Sequence, residues 1–177
     1  MRTVRTVIVV LVFVAAATVA AGVFYVKSTG LRGLPEPGPI ETRLARMIRG
    51  LAIPRAVRAR TNPLEASEEA VWLGLEHFAR YCAMCHGNDG SGENTPIGRG
   101  LFPKPPDMRS DVTQSRTDGE LFYIIENGVR FTGMPAFGTG QENPAADKLA
   151  WQLVHFIRRL PRITPDEIGQ MEALNAL

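Results

Sequence analysis

The chain has 177 residues, with 20 Lys and Arg against 18 Asp and Glu and a formal charge of +2. That length allows one domain of modest size plus appendages, and so small a charge gives no reason to expect nucleic acid as a partner. Its 2 Cys both fall in one short motif, so no disulfide framework is left to explain.

Arg2 and Arg5 precede an unbroken run of twenty apolar or small residues, Val7 to Val26, in which Thr18 is the only polar one. As a helix at 1.5 Å per residue this run spans about 30 Å, the hydrocarbon thickness of a bilayer. A cleaved signal peptide has a shorter apolar core, about 7–15 residues, with its small-residue cleavage site beyond it. Here Ala15 to Ala17 and Ala20 to Gly22 lie inside the run, and cutting there would leave an apolar stub. Residues 1–27 are therefore expected to be an uncleaved membrane anchor. Lys27 and Arg32 offset Arg2 and Arg5, so charge alone does not orient it.

Residues 28–66 read as a linker and a basic segment. Gly30, Gly33, Pro35, Pro37, Gly38 and Pro39 punctuate its start, and the prolines stiffen it. Ile40, Leu44, Met47, Ile48 and Leu51 then recur at helical spacing, with Arg43, Arg46 and Arg49 on other faces. Pro54 ends that helix, and Arg55, Arg58 and Arg60 follow. Two readings stand side by side: an amphipathic helix against anionic headgroups or a membrane partner, or a helix covering the domain that follows, with its arginines solvated.

Residues 67–163 read as the compact domain. Ser67 caps a helix whose first turn holds Glu68 and Glu69, carboxylates suited to the N-terminal dipole. Val71, Leu75, Phe78 and Cys82 form one stripe along it, and Gly74 interrupts it at a cost of about 1 kcal/mol against Ala. A glycine there fits a close crossing by another helix, expected from the last one around Leu153, Val154 and Ile157. The helix ends in Cys82-Ala83-Met84-Cys85-His86, a C-x-x-C-H. On a helix those three reactive side chains share a face, and the string marks covalent attachment of a c-type haem, with His86 as an iron ligand. A thioredoxin-type dithiol would want a βαβ context that is missing. A zinc site would need four ligands, with only His77 and His155 left to add.

After Gly87 comes a long stretch of Gly and Pro with little periodicity. Its Leu101 and Phe102 are expected to cover a porphyrin face. Thr117-Asp118-Gly119-Glu120 is a capping box opening a helix with Leu121, Ile124 and Ile125 inward and Asn127-Gly128 as its stop. Asn143-Pro144 begins another helix, cap then first-turn proline, running to about Leu160. Residues 164–177 form a short C-terminal helix capped from Thr164. No strand pattern and no internal repeat is present.

Cys82 to His86 after a Gly74-x-x-x-Phe78 helix, then Gly133-Met134-Pro135 in a loop and a closing aromatic helix, resemble a class I c-type cytochrome. More narrowly, they resemble the single-haem, membrane-anchored cytochrome c domains of bacteria. The resemblance covers about Ser67 to Leu160. It implies a small all-α fold around one covalently attached haem c, with iron held by His86 and Met134. Pro96 and Pro103 are both candidates for the proline whose carbonyl orients His86.

Met134 also stands out among the six methionines without the family. It lies between a glycine that permits close backbone approach and a proline that stiffens the loop, whereas Met108 sits among charges and Met84 points away from Cys82. A c-type haem is attached outside the cytoplasmic membrane, so the expectation is a single-pass protein of the bacterial cytoplasmic membrane with its haem domain in the periplasm. Three functions follow, with no bound substrate in the first two. They are single-electron transfer between redox proteins of a respiratory chain, a fixed relay subunit of a larger membrane oxidoreductase, and a haem enzyme or gas sensor with an open iron site. Between Ser67 and Arg162 acidic residues slightly outnumber basic ones, which argues against strong docking onto an acidic partner.

Overall fold

The computed structural model describes residues 2–30, 32–92, 94–140 and 144–175. Two compact units are present, Met1–Gly33 and Leu34–Leu177. The first consists of α1 (Arg2–Thr29), apolar on all sides and long enough to cross a membrane.

The second unit is helical throughout, and no strand occurs among the described residues, as the all-α reading expects. It begins with α2 (Pro39–Ala52) and the single turn α3 (Arg55–Arg58). Pro54 separates the two, since a proline ring cannot follow an α-helical residue without strain. α4 (Glu68–His77) starts where Ser67 Oγ accepts from the Ala70 N–H at 3.1 Å. It continues through a π-helical turn, Phe78–Cys82, into α5 (Ala83–His86). The stretch read as an unstructured loop contains two short helices, α6 (Pro96–Gly100) and α7 (Asp111–Gln114). Both are too short for a periodic signal, although Thr95 caps the first by accepting from the Gly98 N–H at 2.8 Å.

α8 (Asp118–Asn127) carries the capping box that its sequence spells out. Glu120 N–H donates to Thr117 Oγ1 at 3.2 Å, and Thr117 N–H donates to Glu120 Oε2 at 3.0 Å. Leu121 and Ile125 are buried and Ile124 is half-buried. α9 (Pro144–Arg159) passes through a 3-10 turn, Leu160–Arg162, to α10 (Pro165–Asn175). The expected cap at Asn143 lies outside the described residues. Thr164 and Glu167 make a second reciprocal cap, with N–H···O distances of 2.7 and 3.2 Å.

The core lies where α4 crosses α9. A Cβ on Gly74 would sit 2.2 Å from the Gln152 carbonyl oxygen and 2.9 Å from Phe156 Cβ. The close crossing anticipated at Gly74 is therefore present. The residues it meets are Gln152 and Phe156, each the immediate neighbour of an expected residue (Leu153 and Ile157) and about 100° around the helix from it. Leu153, Val154 and Ile157 are also buried, but they face elsewhere in the core, and Leu153 and Ile157 look into a cavity. Phe78 stacks obliquely on Phe156 with centroids 5.1 Å apart, and Trp151 stacks on Phe122 of α8 at 4.2 Å. Complete burial of each such ring is worth about 1.5–3 kcal/mol.

The segment before α4 is fastened to α8. A Cβ on Gly119 would fall 2.0 Å from the Val57 carbonyl oxygen, so α3 and the start of α8 touch through their backbones. Thr117 Oγ1 donates to the Arg58 carbonyl at 2.8 Å, and Arg58 pairs with Glu120 at 3.3 Å. The Arg60 guanidinium lies 4.6 Å above the Phe122 ring centre, a cation–π contact.

Two glycines in helices should respond oppositely to substitution. Gly74→Leu is expected to destabilise the fold by about 1–3 kcal/mol, because backbone atoms of α9 cannot move aside. Gly169→Ala, where an added Cβ meets nothing within 4 Å, is expected to stabilise by about 0.5–1 kcal/mol through helix propensity alone. Denaturant unfolding of the two variants beside the parent measures both. A Gly74→Leu chain of parental stability would mean that the crossing is not close.

Candidate haem-binding site

α4 does not run as a regular α-helix into the cysteine motif. The Ala83 N–H donates to the Phe78 carbonyl, five residues back, so one residue more than usual fills this turn. Gly87, at φ +74°, then ends α5 abruptly, a conformation that only glycine adopts freely. Cys82, Cys85 and His86 nevertheless converge, and all three line one cavity.

That cavity encloses about 1130 Å³ including its open mouth. Its walls are largely apolar. Phe78 and the motif form one side, Leu121, Ile124 and Ile125 of α8 another, and Leu153 and Ile157 of α9 the back. Leu101 joins them from the Gly- and Pro-rich stretch, as expected, whereas Phe102 is not on the wall.

His86 is 7% exposed, and its Nδ1 is buried without a hydrogen bond. Burial pushes its pKa down to about 4, and the Pro106 carbonyl opposes that shift. The ring is therefore neutral at physiological pH, the form that binds a metal. Pro106 is the proline whose carbonyl faces this ring, in place of the expected Pro96 or Pro103. It is brought there by Gly92, whose Cβ would strike the Pro105 carbonyl oxygen at 2.4 Å, and by the Met108 N–H donating to the Gly90 carbonyl at 2.8 Å. Nothing in the spacing of the prolines signals this choice.

The thiols are not poised as a redox pair. Burial, and then the neighbouring Cys85, push the Cys82 thiol up to about 12, and burial raises Cys85 as well. A catalytic dithiol needs a thiolate near neutral pH. Nor is there a zinc centre: among the described residues no three His, Cys, Asp or Glu side chains cluster to hold a metal ion. His77 stacks against Tyr81, with ring centres 6.2 Å apart, and His155 Nε2 lies 3.0 Å from the Leu64 carbonyl oxygen. An apolar cavity with two thiols and a neutral imidazole on its wall fits a haem attached through vinyl groups.

Met134 and Met108 both line the cavity. Met108, 9% exposed, follows Pro106 by two residues and so belongs to the His86 side. Met134 belongs to a separate loop held against the end of α8. Its carbonyl accepts from the Val129 N–H at 3.1 Å, and the Phe137 N–H donates to the Ile125 carbonyl at 3.0 Å. Gly128 makes that approach possible. It stands at φ +63°, and a Cβ there would lie 2.6 Å from the carbonyl carbon of Pro135. Met84 is exposed on the opposite side of its helix. Two wall residues that no motif indicates are Arg49 and Arg116.

The model of the family described as cytochrome c oxidase, cbb3-type, subunit III matches residues 69–157, half of the chain. No curated protein matches it. The chain belongs to that family, and its domain is a class I cytochrome c domain, a haem-binding, electron-transfer fold.

Gly128→Ala is expected to cost more than about 1 kcal/mol, because it combines a left-handed backbone with a clash against Pro135. The Met134 loop should then be cut faster by protease than in the parent. Equal stability and equal cleavage would show that the loop does not depend on this contact.

Proposed function

We propose, from that membership, that the chain is a membrane-anchored electron-transfer cytochrome of the bacterial periplasm. In this reading Cys82 and Cys85 would attach one haem c, and His86 and Met134 would bind its iron. The observation that carries it is the convergence of Cys82, Cys85, a neutral His86 and Met134 on one apolar cavity. When bound, the haem iron supplies a one-electron couple. His86 would offer an uncharged nitrogen, with the Pro106 carbonyl beside its ring, and Met134 an uncharged thioether on a braced loop. Two neutral ligands favour Fe(II) and raise the reduction potential, and occupation of both positions leaves no room for a substrate. The apolar walls keep water out, so little solvent reorganises when the charge changes. α1 would anchor the chain at the membrane.

A second reading is a fixed relay subunit of a larger oxidoreductase, favoured by the match to a family described as an oxidase subunit. A stable complex recovered after mild detergent extraction would select it over a free carrier.

Replacing both Cys82 and Cys85 with Ala should leave haem extractable by acidic organic solvent, while the parent retains it covalently. Met134→Ala should open the iron to CO and lower the potential, with the haem still attached. A Met134→Ala protein with the parental spectrum and potential would make Met134 packing only. Rapid CO binding by the parent itself would instead favour an open-site enzyme or sensor.

A further inference from the structure

α2 is turned inside out. Its apolar stripe, Ile40, Leu44, Met47, Ile48 and Leu51, is between 49% and 83% exposed, while Thr42 and Arg49 on the other side are half-buried. Arg49 reaches the wall of the cavity that holds Cys82 and His86. A helix with five apolar side chains to offer has no packing reason to bury an arginine in their place, and burying an unpaired cation is costly.

Arg116 lines the same cavity, and among the described residues neither arginine forms an ion pair. The carboxylate beside Arg116 is already engaged. Asp118 pairs with Arg158 of α9 at 2.7 Å, and Arg158 also donates to the carbonyls of Gln114 and Arg116 at 2.8 and 2.5 Å. The backbone next to Arg49 is likewise held, because Arg58 donates to the carbonyl of adjacent Gly50 and pairs with Glu120. Arg49 and Arg116 thus bring two guanidinium groups to the cavity wall, which Lys104 also lines. Burial, and then repulsion from Arg116 and Arg46, hold the Arg49 pKa below its usual value, the mark of a site short of negative charge.

Haem brings two carboxylates of its own, its propionates, attached to an apolar ring. The cavity has matching parts, apolar walls with arginines among them, and a guanidinium fork suits a carboxylate. We propose that Arg49 and Arg116 bind the haem propionates, which makes α2, from outside the matched residues 69–157, a working wall of the haem pocket. This rests on the haem reading above.

Redox titration of the haem-loaded, full-length protein tests the proposal. Arg49→Gln and Arg116→Gln should each lower the midpoint potential, since a lost cation and an uncompensated propionate both favour Fe(III). Arg49→Lys, which keeps the charge but not the fork, should lower it less. Arg43→Gln, the same charge change on an exposed position of α2, should leave it at the parental value. The Arg49→Gln shift should persist in part at high salt, because a partly buried pair is screened less than an exposed one. Parental potentials in both Gln variants would overturn the proposal, as would an equal shift in Arg43→Gln. If Arg49→Gln loads no haem, a parental potential in Arg49→Lys overturns it. Replacing chloride by inorganic phosphate at constant ionic strength should not move the parental potential. A phosphate shift that Arg49→Gln abolishes would mean that the arginines face an external anion instead. A parent chain without covalent haem would remove the premise, whereas unchanged potentials in loaded variants remove only this inference.

Discussion

The backbone contact between α4 and α9 at Gly74 is the constraint on which the haem-binding end depends. With hydrogen in place of a side chain, the Gln152 carbonyl comes to where a Cβ would be. That sets Phe78 directly on Phe156 and fixes the height at which Cys82, four residues further on, enters the cavity. The π turn then supplies the extra residue that brings Cys85 and His86 round to the same wall. α9 also positions the opposite edge, because Arg158 holds the carbonyls on either side of Ser115. One helix thereby sets both the attachment end and the charged end of the pocket.

The parts legible in the sequence are those written in local code. Ser67, Thr117 and Gly128 mark helix ends through side-chain hydrogen bonds or a left-handed φ, and each needs only a few neighbouring residues to be recognised. The C-x-x-C-H string is equally local. Gly74 was readable because a glycine within a helix is unfavourable unless something comes close. The identity of that neighbour was not, since it depends on the rotation of α9 about its axis. A rotation of about 100°, one residue's worth, exchanges Leu153 and Ile157 for Gln152 and Phe156. Pro106 and the π turn escaped for a related reason, being set by contacts between stretches remote in sequence.

α2 misleads through periodicity itself. Its apolar spacing predicts which residues share a face, and they do. What spacing cannot supply is the direction of that face, normally assumed to be inward because apolar burial dominates packing energetics. Here the helix lies with Arg49 inward. Its neighbours on the domain side, Gly50 and Ile53, are held by the Arg58 contact and by burial of Ile53. Arg43, Arg46 and Arg49 are indistinguishable in sequence, and only the third lies on the cavity wall.

The charge pattern of the pocket then has one direction. Its centre is kept neutral, because burial denies His86 a proton and, among the described residues, no carboxylate lines the cavity. Its cations are Arg49, Lys104 and Arg116. Against a bound ferric centre a neutral middle offers nothing to offset the iron's extra charge, and the cations oppose it. Both features therefore stabilise the reduced state by the same Coulombic sign, and more strongly than on a solvated surface, because an apolar cavity screens poorly. The arginines would repel each other in an empty cavity, so the cofactor's own carboxylates turn an unfavourable pair of charges into a favourable one. On this account the cavity's electrostatics belong with the haem in place, and α2 contributes Arg49 to them from outside the matched cytochrome c domain.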